Sequence, residues 1–589
     1  MCHEKLLVSI NTKSLTKIPL PYIQLTVGGL HLQLDGGELT LSDAERGHRL
    51  VVMPLAGCML PWLDGRACEA VVVRGVTADG DGIVIEQEAA GCLVRASWRL
   101  ADGHIELSAT ITVASACQLN RLDLLPAGTQ LNLWDVVNYR NAHDGPTAWP
   151  ELLLRGKCFA TDTASGDWQF APHPSVMLLR RGSDQLLLGA LDLPASFGLH
   201  LAAERHRLRH CHLDYGEHPH GLALAAGTVF TTPRFALLLD RTGDVASAMG
   251  RWTGLLVAQG TIPDPQSVVR HAWHREPVYC TWMDQCARAA FDPPPDLADQ
   301  AEAAGPALRV LNQDLVREAL RLIRSEGLPF RTILIDDGWQ VGRGDWRAHP
   351  TRFPDLRGLV DEIHAAGLKA IAWWAWPEIG KEVVVDPALL VAGGRVNRHG
   401  ARMYDYASRT VQQAYLEPLI RRLISSEPGC YDFDGVKTDF VADKVHADMP
   451  PGDLAWRGEE VFFYRFYSLL LDLMTAHKPD ACHIGCSGHP WLAHLISINR
   501  TFDVFGADVR MHAVRGDVLE ATCPGTPIAL DFHLYRECLD EWFALGHRRG
   551  WSFQVGNLLG MRRDPLAPWQ PADADYLAQV RRGLKEMQR

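Results

Sequence analysis

The chain has 589 residues, 47% hydrophobic and 22% charged. That is the composition of a globular protein with apolar material for two large domains, and it excludes disorder, collagen or coiled coil as the main architecture. With 58 basic and 70 acidic residues the formal net charge is −12, so there is no global cationic field to collect nucleic-acid phosphates, and a neutral or cationic small ligand suits the chain better.

The first apolar run, residues 6–10, is shorter than the roughly 7–15 residues of a signal-peptide core, and no run approaches the roughly 20 needed to cross a membrane. Fourteen cysteines are scattered along the chain. A chain of this size does not depend on stapling, so reduced thiols in a cytoplasmic protein are expected.

Up to about residue 250 the pattern has period 2. Ile105, Leu107, Ala109, Ile111 and Val113 alternate with Glu106, Ser108, Thr110 and Thr112, as a strand with one buried face requires. Ala101-Asp102-Gly103 follows the alternating run 93–100 and reads as a hairpin turn. Similar runs at 83–85, 176–179 and 186–188 predict a large antiparallel β-sandwich domain over 1–255. Alternate arginines at Arg205, Arg207 and Arg209 read as the solvated face of a strand.

A linker over 256–276, with Pro263 and Pro265, leads into a second grammar over 277–589. Short apolar runs at 277–282, 332–336, 369–374, 435–439, 481–486, 500–503, 526–531 and 551–555 alternate with helical stretches such as 315–325, 356–366 and 461–476. The chain ends in a further helical stretch over 572–587. Eight strand-and-helix units in about 300 residues predict a (β/α)8 TIM barrel, whose chemistry lies at the C-terminal ends of its strands.

The strand ends are rich in carboxylates. Strand two ends in Asp336-Asp337-Gly338-Trp339, strand four in Lys437-Thr438-Asp439, and strand six carries Arg500-Thr501-Phe502-Asp503, with Asp508 beyond it. Opposed carboxylates between aromatic walls suit glycosidic cleavage, where one attacks the anomeric carbon and another protonates the leaving oxygen. Trp282, Trp339, Trp373, Trp374 and Trp376 offer flat faces for a sugar ring. One of Trp373 and Trp374 faces the barrel interior, and for Trp373 alone core packing is the better reading. Strand-end aspartates also cap helices, but Lys437 shares a strand face with Asp439 and, if buried, needs that counter-charge.

These motifs, in this order, resemble glycoside hydrolase family 36, the α-galactosidases with the raffinose synthase-like proteins. Tyr279-Cys280-Thr281-Trp282 looks like the strand-one segment of the raffinose synthase-like branch, and Asp336-Asp337-Gly338-Trp339 is similar to the family's Asp-Asp-Gly-Trp. Gly367-Leu368-Lys369 with Trp373 and Pro377-Glu378, then Tyr404-Asp405 with Ser408-Arg409, resemble its next segments. Asp434-Gly435-Val436-Lys437-Thr438-Asp439 is similar to the segment whose last residue is the nucleophile. The resemblance covers roughly residues 277–510. It implies Asp439 as nucleophile, sugar contacts from Asp336, Asp337 and Lys437, and an acid/base at the end of strand six. Asp503 fits that place if Phe502 replaces the family's Ser, and Asp508 is the alternative. Where the α-galactosidases carry Cys-x-x-Gly-Gly-Gly-Arg after strand five, this chain has Cys486-Ser487-Gly488-His489-Pro490-Trp491, closer to the Cys-x-x-His of the raffinose synthase-like branch. That loop is expected to line the pocket for the sugar's 2-substituent.

The expectation is therefore a retaining α-glycosidase, α-galactosidase-like, with Asp439 and Asp503 as the catalytic pair. Trp282, Asp336, Asp337, Trp339, Trp374, Lys437, Cys486, His489 and Arg500 are the candidate substrate-binding residues. A raffinose synthase-like transferase and a non-catalytic sugar-binding protein are the alternatives. No metal and no cofactor is needed. Cys482, His483, Cys486 and His489 do not converge on a straight strand, and Gly342-Arg343-Gly344 lacks the phosphate-loop pattern. The expected partner is a small oligosaccharide or glycoside, with no nucleic acid and no membrane, and assembly as a homo-oligomer.

Overall fold

The computed structural model describes residues 22–586 except 69, 80, 133–134, 138–174, 182, 193–196, 205–206, 217, 293–304, 392–401, 442–451, 502–508, 532–534 and 565. The N-terminal part is two antiparallel sheets, of ten and nine strands among the described residues, packed face to face. The expected hairpin joins Cys92–Ala101 to His104–Val113 with Ala101 opposite His104. The alternation becomes burial: Ile105, Leu107, Ile111 and Val113 lie in one core with Leu32, Leu41 and Leu122 of the other sheet. Arg207 and Arg209 are exposed on either side of buried Leu208, while Arg205 lies outside the described residues.

The helix Val245–Ala258, capped by Asp244, crosses the expected 255/256 boundary. It follows the last sandwich strand, Phe235–Asp240, and packs against the barrel helix Arg510–Thr522. Two 3₁₀ turns, Pro265–Ser267 and Ala272–Arg275, complete the connection.

Eight parallel strands then close into a barrel: β1 (Val278–Cys280), β2 (Thr332–Ile335), β3 (Lys369–Trp374), β4 (Gly435–Thr438), β5 (Cys482–Gly485), β6 (Ile498–Arg500), β7 (Ile528–Leu530) and β8 (Ser552–Val555). The (β/α)8 barrel behind an antiparallel sandwich is the architecture expected from the sequence. Register fixes which side chains point inward. Val278, Cys280, Leu334, Ile371, Cys482, Ile484, Ile498 and Ala529 form the interior core, with Trp273 packed against it. The intervening residues pack outward on helices such as Gln313–Ser325, which buries Leu315, Val316, Leu320 and Ile323, and Glu459–Thr475. Gly435 is required at the start of β4, where φ is +159° and a Cβ would lie 1.9 Å from the Cys482 carbonyl oxygen.

Two elements differ from expectation. Strand β1 stops at Cys280, and Trp282 opens the helix Trp282–Phe291. Strand β6 lies two residues earlier than its sequence run, so Arg500 ends it. Isolated Ile498 gives a three-residue strand little apolar signature, and it is held by pairing with Ile484 on β5 and by Asn499 opposite Ile528 on β7.

Candidate active site at the barrel rim

Strand β4 carries the centre of the site. Lys437 pairs in register with Trp373 of β3 and Ile484 of β5, so its side chain enters the barrel. It is 2% exposed. Its Nζ donates to Asp336 Oδ2 at 2.7 Å and lies 3.4 Å from Asp439 Oδ2. Burial alone would pull the Lys437 pKa down, but Asp336 and Asp439 outweigh it and the net shift is upward. A permanently charged ammonium therefore bridges two carboxylates.

Asp439 follows β4. Trp373 Nε1 donates to its Oδ2 at 3.0 Å, the backbone N–H of Phe440 donates to its Oδ1 at 3.0 Å, and Arg500 Nη2 lies 3.7 Å from Oδ1. Its side chain is 17% exposed, against 4% and 5% for Asp336 and Asp337. Asp439 is thus the open member of the three. Phe440 has φ +53°, a conformation non-glycine residues adopt at a cost of order 1–3 kcal/mol where function over-determines it. That turn aims its N–H at Asp439 and lays its ring 4.4 Å from the Arg343 guanidinium.

At the end of β2, Asp336 also accepts from the Cys280 thiol at 3.1 Å and from the Asp337 N–H at 2.9 Å. Burial and the neighbouring Asp336 charge push the Cys280 thiol well up, so it stays a donor. Asp337 accepts from Gln340 Nε2 at 2.6 Å and Arg343 Nη2 at 2.8 Å. Arg343 reaches on to Glu378 at 2.5 Å. Burial pushes the Asp337 carboxyl up, against the pull of Arg343.

On the far side, Arg500 is 1% exposed and donates through Nη1 to Asp531 Oδ2 at 2.6 Å, and Gln554 Nε2 donates to Asp531 Oδ1 at 2.5 Å. A chain of alternating charge thus runs inside the rim, from Gln554 of β8 through Asp531, Arg500, Asp439 and Lys437 to Asp336 and Cys280 of β1. Cys486, with its Sγ toward the Arg500 carbonyl at 3.4 Å, is buried beside it. Such a rim can hold a carboxylate in place and open to a ligand.

The structure thus brings together Asp336, Asp337, Lys437, Asp439, Cys486 and Arg500. It corrects the placing of several other candidates. Trp339 is fully enclosed: Gly338 turns the chain at φ +114°, and the indole donates to the Trp373 carbonyl among Trp346, Tyr431 and Phe433. Trp374 points outward by strand alternation and packs on Trp346 and Phe466, and Trp376 packs on Phe466 and Tyr406. Of the β3 pair it is Trp373 that reaches the carboxylates: its ring is buried in the core, as expected, while its Nε1 donates to Asp439. His489 accepts from Trp491 N–H at 3.2 Å and lies 3.1 Å from Glu460, whose Oε1 also accepts from Ser175 of the sandwich part. Its ring is engaged where the two parts meet. Trp282 is half-buried against the barrel's interior cluster. Asp503 and Asp508 lie outside the described residues.

Sequence reasoning missed Trp373 as a donor, Arg343, Glu378, Asp531 and Gln554. Asp531 had a signal, since it ends the seventh predicted strand. Arg343 was legible only through the need of buried Asp337 for a cation.

Metal-ligand geometry among the described residues is confined to Asp361, His364 and Asp432, whose ligand atoms lie within 4.8 Å of one another near the start of β4. Arg357 and Lys478 already pair with this group, each at 2.8 Å. The Cys482-to-His489 set does not converge: His483 is held outward by Thr438 and the Leu495 carbonyl, both at 2.9 Å, and burial pushes it down to about 4.

Residues 304–455 match the family model of the glycosyl hydrolases family 31 TIM-barrel domain. The A type blood α-D-galactosamine galactosaminidase of Flavonifractor plautii is 37% identical over 200 residues, which are 30% of this chain and 17% of that protein. The chain therefore spans about a sixth of the length of that curated relative. Among solved structures, the GH36 α-galactosidase of Geobacillus stearothermophilus in complex with stachyose superposes with a TM-score of 0.55 at 12% identity, over 96% of this chain and 86% of that one. The galactosidase domain of an α-galactosidase–sucrose kinase gives 0.54 at 13%, over 98% and 86%. The α-galactosidase of Lactobacillus brevis gives 0.51 at 13%, over 98% and 84%. The fold is that of barrel glycoside hydrolases. The matching family model is of family 31, and these solved relatives are α-galactosidases.

None of the described helices is long and apolar enough to cross a membrane. Twelve cysteines among the described residues are free thiols.

Proposed function

We propose that this protein is a retaining α-glycosidase of the family 36 type, acting on small α-galactosides or related amino sugars, with a sandwich over 1–255, a linker over 256–276 and a catalytic barrel over 277–589. The observation that carries the proposal is the setting of Asp439. It is partly open at the rim, oriented by the Trp373 indole and the Phe440 N–H, and flanked by Lys437 and Arg500. A nucleophilic carboxylate must be fixed and reachable, and these contacts supply both.

In the proposed double displacement Asp439 attacks the anomeric carbon while an acid protonates the leaving oxygen. The same acid, as its conjugate base, then takes a proton from the incoming water. Asp503 is the proposed acid/base, with Asp508 as the alternative. Retention requires the two carboxyl groups to lie roughly 5–5.5 Å apart. Asp336, held by Lys437, and Asp337, held by Gln340 and Arg343, are proposed to accept from sugar hydroxyls. The curated relative's name supports placing galactosamine among the donors, and a site rich in carboxylates suits an ammonium substituent.

The test is aglycone release from aryl α-glycosides (galactoside, galactosaminide, N-acetylgalactosaminide and glucoside) by the wild type and Asp439→Asn, with the first-formed anomer read by NMR. Turnover giving the α-anomer and lost in Asp439→Asn is expected. A silent wild type, a β-anomer first, or an active Asp439→Asn overturns the proposal.

A further inference from the structure

An arginine side chain left free beside a carboxylate closes on it, commonly as a two-pronged pair at about 2.7–2.9 Å. Arg500 does not do so with Asp439: Nη2 stops at 3.7 Å from Oδ1, while Nη1 is bound to Asp531 at 2.6 Å. On the side away from Asp439 the guanidinium is held by the neighbouring strands. Asp531 is fully buried; its N–H donates to Thr501 Oγ1 at 3.0 Å, and its second oxygen accepts from Gln554 at 2.5 Å. Gln554, 1% exposed, uses its Nε2 for that bond and leaves Oε1 without a hydrogen-bond partner among the described residues. A buried unpaired amide oxygen costs stability that an apolar side chain would not. The group at the other end of the amide is what such a residue is kept for.

We propose that Asp531 and Gln554 are positioning residues for the reaction: they anchor the Arg500 guanidinium on its far side, so that it faces Asp439 without closing on it. Asp439 then keeps a cation nearby while its oxygens stay free to attack. When attack consumes the Asp439 charge, Arg500 keeps Asp531 as a counter-charge, so the guanidinium need not reorganise during the step. Among the described residues, the groups facing Asp439 are Trp373 of β3, Lys437 of β4, the Phe440 N–H, Cys486 after β5 and Arg500 of β6, with Tyr467 of the helix Glu459–Thr475 nearby and Asp336 behind Lys437. Neither Asp531 nor Gln554 is among them, so their effect passes through Arg500.

The kinetic half of the test rests on the glycosidase reading, and the structural half does not. Asp531→Asn, Asp531→Ala and Gln554→Leu are compared with the wild type. In Asp531→Ala crystals the guanidinium is expected to swing onto Asp439, within about 3.2 Å. For both Asp531 variants kcat/KM is expected to fall roughly 100-fold, the scale of a 1 Å misplacement, mostly in kcat with KM within about threefold. A merely structural role would lower stability without the kcat-against-KM split and without moving the guanidinium. Gln554→Leu, which retains both charges and removes the costly amide, is expected to fold and to show the same changes at smaller size. A guanidinium that stays at its distance in Asp531→Ala, or a kcat/KM within threefold in all three variants, overturns the inference. If the wild type releases no aglycone from any α-glycoside, the glycosidase reading falls and the position of Arg500 in the variant crystals decides the positioning role alone.

Discussion

Replacing Lys437 by methionine tests the charge arrangement at the centre of the rim. The ammonium sits 2.7 Å from Asp336 and 3.4 Å from Asp439. At an effective dielectric near 20 these contacts amount to about 6 and 5 kcal/mol of attraction before desolvation is charged against them. Removing one partner of a buried ion pair costs about 3–5 kcal/mol, because the other charge is left behind. Asp336 would retain the Cys280 thiol and the Asp337 N–H, and Asp439 the Trp373 indole and the Phe440 N–H. The expected loss in unfolding free energy is therefore toward the lower figure, about 3 kcal/mol, read by urea denaturation at pH 7. With the shared cation gone from both carboxylates, kcat/KM for an aryl α-glycoside at pH 7 is expected to fall at least about 100-fold. A Lys437→Met protein with wild-type denaturation midpoint and wild-type kcat/KM would refute the reading of Lys437 as the counter-charge.

Three other outcomes follow from the same geometry. Trp373→Phe keeps an aromatic ring but removes the donor to Asp439, and a charge-assisted hydrogen bond of about 1.5–3 kcal/mol implies a fall of roughly 10- to 100-fold in kcat, measured by steady-state kinetics, with a lowered thermal midpoint from the smaller ring in a buried site, read by calorimetry. Asp284 accepts from the N–H groups of Leu558, Leu559 and Gly560 and from Tyr279. Asp284→Ala leaves these buried donors unpaired and is expected to cost roughly 3 kcal/mol or more in denaturant titration. At the strand-start face, burial pushes Asp434 up, but the His364 hydrogen bond, the Lys478 charge and the Ala370 N–H outweigh it and hold its pKa below the usual carboxylate range. A depressed carboxylate contributes stability that is complete above its unfolded pKa of about 3.9 and is lost as pH falls through the folded one. The stability gap between wild type and Asp434→Asn is therefore expected to be constant from about pH 5 to 7 and to close below about pH 4; a gap that stays level down to pH 3 would contradict the assignment.

Much of the architecture was legible because burial writes periodicity into a chain. The hairpin 92–113 shows its two-residue period and its Gly103 turn, and seven of the eight barrel strands lie within the predicted apolar runs. Strand β6 was displaced by two residues because a three-residue strand with one interior isoleucine carries almost no pattern, so its place was left to its neighbours. At the site, Lys437 and Asp439 were legible as a pair because residues two apart on a strand share a face. The tryptophans were not. Trp339, Trp374 and Trp376 have the composition of a sugar platform, but each lies under a hairpin or in the layer between strands and helices.

Local sequence alone determined which residues alternate, where chains turn, and that acidic groups end the strands. Those properties follow from backbone geometry and hydrophobic period, which act over a few residues. Only the closed barrel decided that Arg500 meets Asp531 rather than closing on Asp439, that Trp373 and not Trp374 donates to Asp439, and that His489 is taken up beside Glu460 and Ser175. Those contacts join residues far apart in the chain, and they are set by strand register and by the need of each buried charge for a partner.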